Sequence, residues 1–183
     1  MMVFKFGGAS VKDAAAVKNV AAIVKGFTGE ELIIVVSAMA KTTNNLERLM
    51  DAFFFKKEDP RAVLEEIRNF HLGVLGELFP NPSHPIYAQV ENDLVELHWA
   101  IEDEPSYPYN HEYDQIVCMG EIISSRIVAA YLNEAGISCA WLDARGIIQT
   151  DNTYREGNVD FELTEKLARE NLLLQIGRFA RYF

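Results

Sequence analysis

Cysteine is scarce in this chain: Cys118 and Cys139 are the two present, both among apolar neighbours and without CxxC spacing. That pattern offers neither a disulfide framework nor a thiolate metal site, and reads as two reduced core thiols of a cytoplasmic protein. Positive charge is also short, with 17 Lys and Arg against 27 Asp and Glu and a net charge of -10. No basic cluster stands out, so a nucleic-acid partner is not expected. A small anionic ligand is not excluded, because one lysine, backbone amides and a counter-ion can reverse the potential inside a single cleft. No apolar run approaches the roughly 20 residues that span a bilayer. Met1–Phe6 lacks the charged and apolar regions of a signal peptide. A membrane partner is therefore not expected either. His71, His84, His98 and His111 lack metal-ligand spacing, so no protein-held metal is expected, and His71 reads as a surface or partly buried helix residue.

What is present suits one globular core: 49% of the residues are hydrophobic and 24% charged. Val3–Phe6 is a short apolar run ended by Gly7-Gly8, and reads as a strand entering a tight turn. Helical periodicity over Val11–Lys25 follows, then the unbroken run Leu32–Val36, typical of a strand covered on both faces. Strand, helix and strand make a βαβ unit with parallel strands. Helices are predicted over Asn45–Lys56, Pro60–Leu78 and Ile86–Glu102, with proline-rich connectors after the last two. Tyr113–Ala135 reads as a helix, open to a break near Gly120 and closed by Gly136. Ile137–Leu142 reads as a strand, Ile147–Gln149 as a short extended piece, and Asp160–Arg178 as a final helix. The pattern is α/β, with helices layered on a mostly parallel sheet. The chain stops at Phe183, where such a fold would launch another strand.

Four segments carry candidate chemistry. In Lys5-Phe6-Gly7-Gly8-Ala9-Ser10-Val11, glycines without side chains let a phosphate approach the main chain, a helix N-terminus lies next to it, and Lys5 adds positive charge. Ser10 stands open to a plainer reading as a helix cap, with Asp13 three residues on. In Val36-Ser37-Ala38 through Thr43-Asn44, a buried strand empties into small and hydroxylic residues, where ligands sit in open α/β sheets. Thr43 or Asn44 capping the next helix is the favoured alternative there. In Gly120-Glu121-Ile122-Ile123-Ser124, a carboxylate interrupts an apolar helix; it is either solvated at a kink or faces a polar site. The fourth, Asp143-Ala144-Arg145 followed by Thr150-Asp151, reads as architecture, with Asp143 and Arg145 pairing with each other or with a polar network. The run Phe53-Phe54-Phe55 and the tyrosines Tyr107, Tyr109 and Tyr113 read as core or interface.

In order, these segments resemble the K-F-G-G-T-S-V, V-S-A-x-x-x-x-T-N, G-E-x-x-S and D-A-R-x-x-I-x-T-D elements of aspartate kinases, in the amino-acid-kinase family. One departure is Ala9, which stands where the family has threonine. The resemblance implies a three-layer α/β/α sandwich with a mostly parallel sheet. Residues 1–183 would form the N-terminal, acceptor-side lobe, without the nucleotide-side part or regulatory domains. It implies transfer of the ATP γ-phosphate to the β-carboxylate of L-aspartate, giving 4-phospho-L-aspartate on the route to lysine, threonine and methionine. Lys5 would be catalytic and, with Phe6, Gly7, Gly8 and Ser10, hold the ATP phosphates. Ser37, Thr43 and Glu121 would bind aspartate, Glu121 at the α-amino group, with Ser124 also matching the motif. Mg²⁺ would accompany the nucleotide, and a homo-oligomer is expected. This stretch alone would be inactive. Two other readings stand beside it: a sister kinase acting on another acid, and a non-catalytic ligand-binding or assembly module. Lys5, Gly8, Ser37, Thr43 and Glu121 are expected to converge at the carboxyl edge of the sheet.

Overall fold

The computed structural model describes residues 1–27 and 29–179, so Phe183, where the chain stops, lies outside them. Strand β1 (Met2–Phe6) passes through a 3-10 turn (Gly8–Val11) into helix α1 (Ala14–Lys25), and the chain returns as β2 (Leu32–Val36). The strands pair in parallel, Met2 opposite Leu32 through Phe6 opposite Val36, as the βαβ pattern predicts. Helix α1 starts three residues later than its periodicity suggests. Its cap is Asp13, whose carboxylate accepts from the Ala16 N–H at 2.8 Å, so Ser10 does not cap it. Ala14, Val17, Val20, Ala21 and Val24 form its buried face.

Pairing places Phe4, Phe6, Leu32, Ile34 and Val36 against the core. The other face carries Val3 and Val35, 61% and 46% exposed. The unbroken apolar run of β2 predicts cover on both faces; among the described residues only one is covered.

The remaining core is helical: α2 (Thr42–Phe55), α3 (Pro60–Leu78), α4 (Pro85–Ala100), α5 (Tyr109–Val117) and α6 (Met119–Glu134). Pro60 and Pro85 each occupy a first turn, where a missing N–H costs nothing. The break falls at Cys118, between α5 and α6, and Gly136 closes α6 with φ 80°. Tyr109–Glu134 is long and apolar enough by composition to cross a membrane, which a search for an unbroken apolar run overlooks; 56% of its most apolar window is buried in the fold. Arg126 of α6 forms a two-pronged ion pair with Asp93 of α4, at 2.8 and 3.1 Å. Burial pushes the Asp93 carboxyl upward, and Arg126 opposes that shift.

Ile137–Leu142 is not a strand. It has no ladder partner among the described residues and is held by side chains of α6 instead. Cys139 donates its N–H to Asn133 Oδ1 at 3.1 Å and accepts from Asn133 Nδ2 at 3.0 Å. Trp141 donates to Ser125 Oγ, and its ring lies 3.8 Å from the Arg126 guanidinium carbon. The expected extended piece Ile147–Gln149 is not a strand either; an isolated antiparallel bridge, Thr150 to Val159, follows it before α7 (Phe161–Phe179).

His71 departs from its sequence reading, being fully buried in α3. Its Nδ1–H donates to the Ile67 carbonyl at 2.8 Å, and burial lowers its pKa from 6.5 to about 4. Above about pH 6.5 the ring is neutral in both folded and unfolded chain. As pH falls from 6.5 to 4, the unfolded chain binds a proton that the folded one refuses, so stability is lost. We expect this site to remove about 3 kcal/mol of unfolding free energy across that window, and His71→Leu to flatten the loss. Urea unfolding at pH 7, 5.5 and 4.5 checks this; parallel curves for both proteins would refute it.

Candidate functional site

Beyond β2 the ladder continues one step, Ser37 N–H donating to Phe6 O at 3.0 Å. There the two strand ends close on each other. A Cβ on Gly8 would lie 2.8 Å from the Ala38 carbonyl oxygen, nearer than real Cβ contacts come, and Ala40 N–H donates to Gly8 O at 3.3 Å. Gly8 is thus required by a backbone-to-backbone crossing. Ala40, in the turn that leaves the crossing, has φ 48°, a left-handed conformation that non-glycine residues hold only under outside constraint.

The turn feeds directly into α2. Thr42 N–H donates to Met39 O, and no side chain caps the helix. The capping reading of Thr43 and Asn44 therefore fails, because both already lie inside the first turn. Thr42 is buried, and its hydroxyl has no partner among the described residues.

Helix α6 meets this junction from the core side. A Cβ on Gly120 would sit 3.0 Å from Leu46 Cδ1, 3.1 Å from Ala38 Cβ and 3.4 Å from Thr42 Cγ2. Glu121, in the first turn of α6, accepts from the Ala38 N–H at 3.3 Å. A carboxylate there is also favoured by the helix dipole. Ser124, fully buried, donates its hydroxyl to the Ser37 carbonyl at 2.7 Å. Glu121 therefore faces a polar site rather than a solvated kink.

Gly8, Ser37, Ala38 and Glu121 are brought together in one junction beyond the strand ends. Thr43 is half-buried in the first turn of α2, one residue after Thr42. Phe6 is buried and Gly7 half-buried at the end of β1. Lys5 is exposed on β1; its Nζ would lie 3.8 Å from a Cβ on Gly7, which turns it toward the glycine pair. Ser10 is exposed in the 3-10 turn. The helix N-terminus expected directly after Gly8 is displaced to Ala14 and already faces the Asp13 carboxylate. Sequence reasoning missed the Ala38 amide, the close packing at Gly120 and the cross-link from Ser124. The signal for the last was the i, i+3 spacing of Glu121 and Ser124, which puts them on one helix face.

The fourth motif is architectural. Arg145 Nη2 pairs with Asp143 at 2.7 Å, and this bond holds the Asp143 carboxyl below its usual range. Asp151 accepts from Asn158 and from the Thr153 N–H, which together lower its pKa to about 2. Among the described residues no three His, Cys, Asp or Glu side chains converge to hold a metal. Two grooves lie away from the junction: one of about 270 Å³ beside Arg126 and Trp141, another of about 400 Å³ beside Tyr109, Tyr113 and Arg155.

Residues 1–180 match the family described as "Amino acid kinase family". Over 155 residues the chain is 35% identical to Aspartokinase 1, chloroplastic, of Arabidopsis thaliana, covering 82% of this chain and 27% of that protein. It is 26% identical to the bifunctional aspartokinase/homoserine dehydrogenase 2 of Escherichia coli K12, covering 95% of this chain and 21% of that protein. The fold superposes on E. coli aspartokinase III solved with lysine and aspartate, at a TM-score of 0.85 and 27% identity, over 96% of this chain and 38% of that one. The form solved with aspartate and ADP gives 0.83 at 28% identity, with the same coverage. The chain thus spans about a quarter of the curated relatives' length and under two fifths of the solved chains.

Two glycine substitutions should move stability in opposite directions. Gly8→Ala places a methyl against the Ala38 carbonyl and should destabilise by about 1–3 kcal/mol. Gly73→Ala, in mid-α3 with nothing within 4 Å of the added Cβ, should stabilise by about 0.5–1 kcal/mol. Urea unfolding of both variants checks the pair, and a neutral Gly8→Ala would contradict the crossing.

Proposed function

The chain belongs to the amino acid kinase family, and we propose that its junction of strand ends binds L-aspartate as phosphoryl acceptor in an aspartate kinase reaction. The reading rests chiefly on the Glu121–Ala38 contact beside Ser37, in a chain that superposes at a TM-score of 0.85 on a protein solved with aspartate. Glu121 has two carboxylate oxygens and spends one on the Ala38 amide. The other is available to the α-ammonium of an amino acid, a charge-assisted bond that would select this end of the substrate. Ser37 and Thr43 would supply hydroxyl donors for its carboxylates.

The acceptor carboxylate is ionised at neutral pH, with an ordinary pKa of about 3.9, so attack on the γ-phosphorus needs no general base. What remains is positioning and charge neutralisation. Lys5, exposed beside Gly7, would neutralise the transferring phosphate. Gly7 and Gly8 would let that phosphate approach the main chain, with Phe6 and Ser10 flanking it. Mg²⁺ would arrive with ATP and neutralise its phosphate charge. In this reading residues 1–183 supply the acceptor side of the catalytic domain of a cytoplasmic homo-oligomer.

Calorimetry on the 183-residue polypeptide tests acceptor binding: L-aspartate should titrate, and L-glutamate much more weakly. Glu121→Gln should lower aspartate affinity by roughly 10- to 100-fold, the worth of a hydrogen bond to a charged group, whereas Lys5→Ala should change it by less than about twofold because Lys5 acts on phosphate. Where turnover is assayed by ADP release, Lys5→Ala should lower kcat by about 10²-fold or more and leave the aspartate KM near its original value. No heat with L-aspartate, or equal heats with both acids, would turn the assignment toward a different acceptor.

A further inference from the structure

The Ser37 carbonyl and the Ala38 N–H are the two ends of one peptide group, and α6 holds both. Ser124 Oγ donates to the carbonyl at 2.7 Å, and Glu121 Oε1 accepts from the N–H at 3.3 Å. Residues three apart on a helix are offset by about 4.5 Å along its axis and share a face. That offset lets one helix straddle a single peptide plane. Ser125 shows what a helical serine does without such a partner: its hydroxyl donates back to its own helix, to Ile122 O at 3.1 Å. Ser124 instead reaches an element 87 residues away in sequence.

We propose that Ser124 is a positioning residue for the phosphoryl acceptor: it locks the Ser37–Ala38 peptide so that Ala38 orients Glu121 with one carboxylate oxygen free. This rests on the aspartate reading above and extends it to a residue that touches no substrate. A peptide rotated about its Cα–Cα axis would withdraw the Ala38 N–H from Glu121 and turn Ser37 with it. The neighbouring backbone is under strain at Ala40, where φ is 48°, so the turn holds its shape only while its contacts persist. Besides the backbone bonds Ser37 to Phe6 and Thr42 to Met39, the turn is held by Ala40 to Gly8, by Gly120 packing on Ala38, and by the two ends of this peptide.

The test uses the 183-residue polypeptide with Ser124→Ala, Ser124→Thr and, as a control, Ser125→Ala. Amide hydrogen exchange followed by NMR reads the Ala38 N–H, and calorimetry reads L-aspartate affinity. Ser124→Ala should speed exchange at Ala38 and weaken aspartate binding, each by roughly tenfold, the worth of one hydrogen bond. Ser124→Thr, or Ser124→Cys should the extra methyl not fit, restores a donor and should recover most of both. Ser125→Ala should leave both unchanged even where it lowers the melting temperature. Unchanged Ala38 exchange or unchanged affinity in a folded Ser124→Ala protein would overturn the positioning role alone. If the unmodified polypeptide binds no aspartate, the aspartate reading fails and the purpose assigned to this clamp fails with it, while Ala38 exchange still reports whether the peptide is held.

Discussion

At Gly8 the main chain passes so close to the Ala38 carbonyl that a single methyl would have no room. Most of the geometry around the strand ends follows from that approach. Two parallel strands separate by the usual ladder spacing, and the turns leaving them must diverge or collide. Here they cross, one strand end contributing a glycine and the other a left-handed Ala40. Strain at one end and loss of side-chain packing at the other are tolerated because helix α6 braces the crossing from below.

That bracing explains why α6 carries polar residues on a face that is otherwise apolar. Ile123 and Ile127 are fully buried in the core, yet Ser124 beside them is equally buried and polar. A buried hydroxyl without a partner is costly, whereas one that satisfies the first carbonyl beyond a strand removes two liabilities together. Farther along the helix Arg126 is tied to Asp93 of α4 and lies over Trp141, so the segment after α6 is drawn onto the same support. The candidate site is therefore suspended between the paired ends of β1 and β2 and one helix fixed to the core at several points.

Such an arrangement suits a transfer reaction whose catalysis is mostly alignment. Bringing two reactants within about 3–3.5 Å and in line accounts for roughly 7–11 kcal/mol of a barrier. Loops held by backbone crossings and by a peptide bonded at both ends keep that alignment better than loops held by exposed side chains. The candidate charge on the donor side, Lys5, is by contrast exposed on the strand. The proposed acceptor side is bonded into the fold, while the group that would meet the transferring phosphate stands in solvent.

Much of this could be read along the chain because it depends on local order. The βαβ unit, Pro60 at a helix start and Gly136 at the end of α6 follow from periodicity and from backbone limits particular to glycine and proline. Lys5, Gly7, Gly8, Ser37, Thr43 and Glu121 could be singled out because glycine pairs, strand ends and a carboxylate in an apolar helix are local signals. Tertiary structure decided what those residues meet. Asp13 displaced Ser10 as the cap because its carboxylate reaches the Ala16 N–H. Ile137–Leu142 lost its strand because no neighbouring strand lies beside it among the described residues, and Asn133 satisfies Cys139 instead. His71, read as a surface or partly buried residue, is fully buried, since helical periodicity fixes a face but not the depth at which that face is covered. The reason Gly8 and Gly120 must be glycine, and the pairing of Ser124 with a carbonyl 87 residues away, depend on distances between segments that periodicity cannot encode.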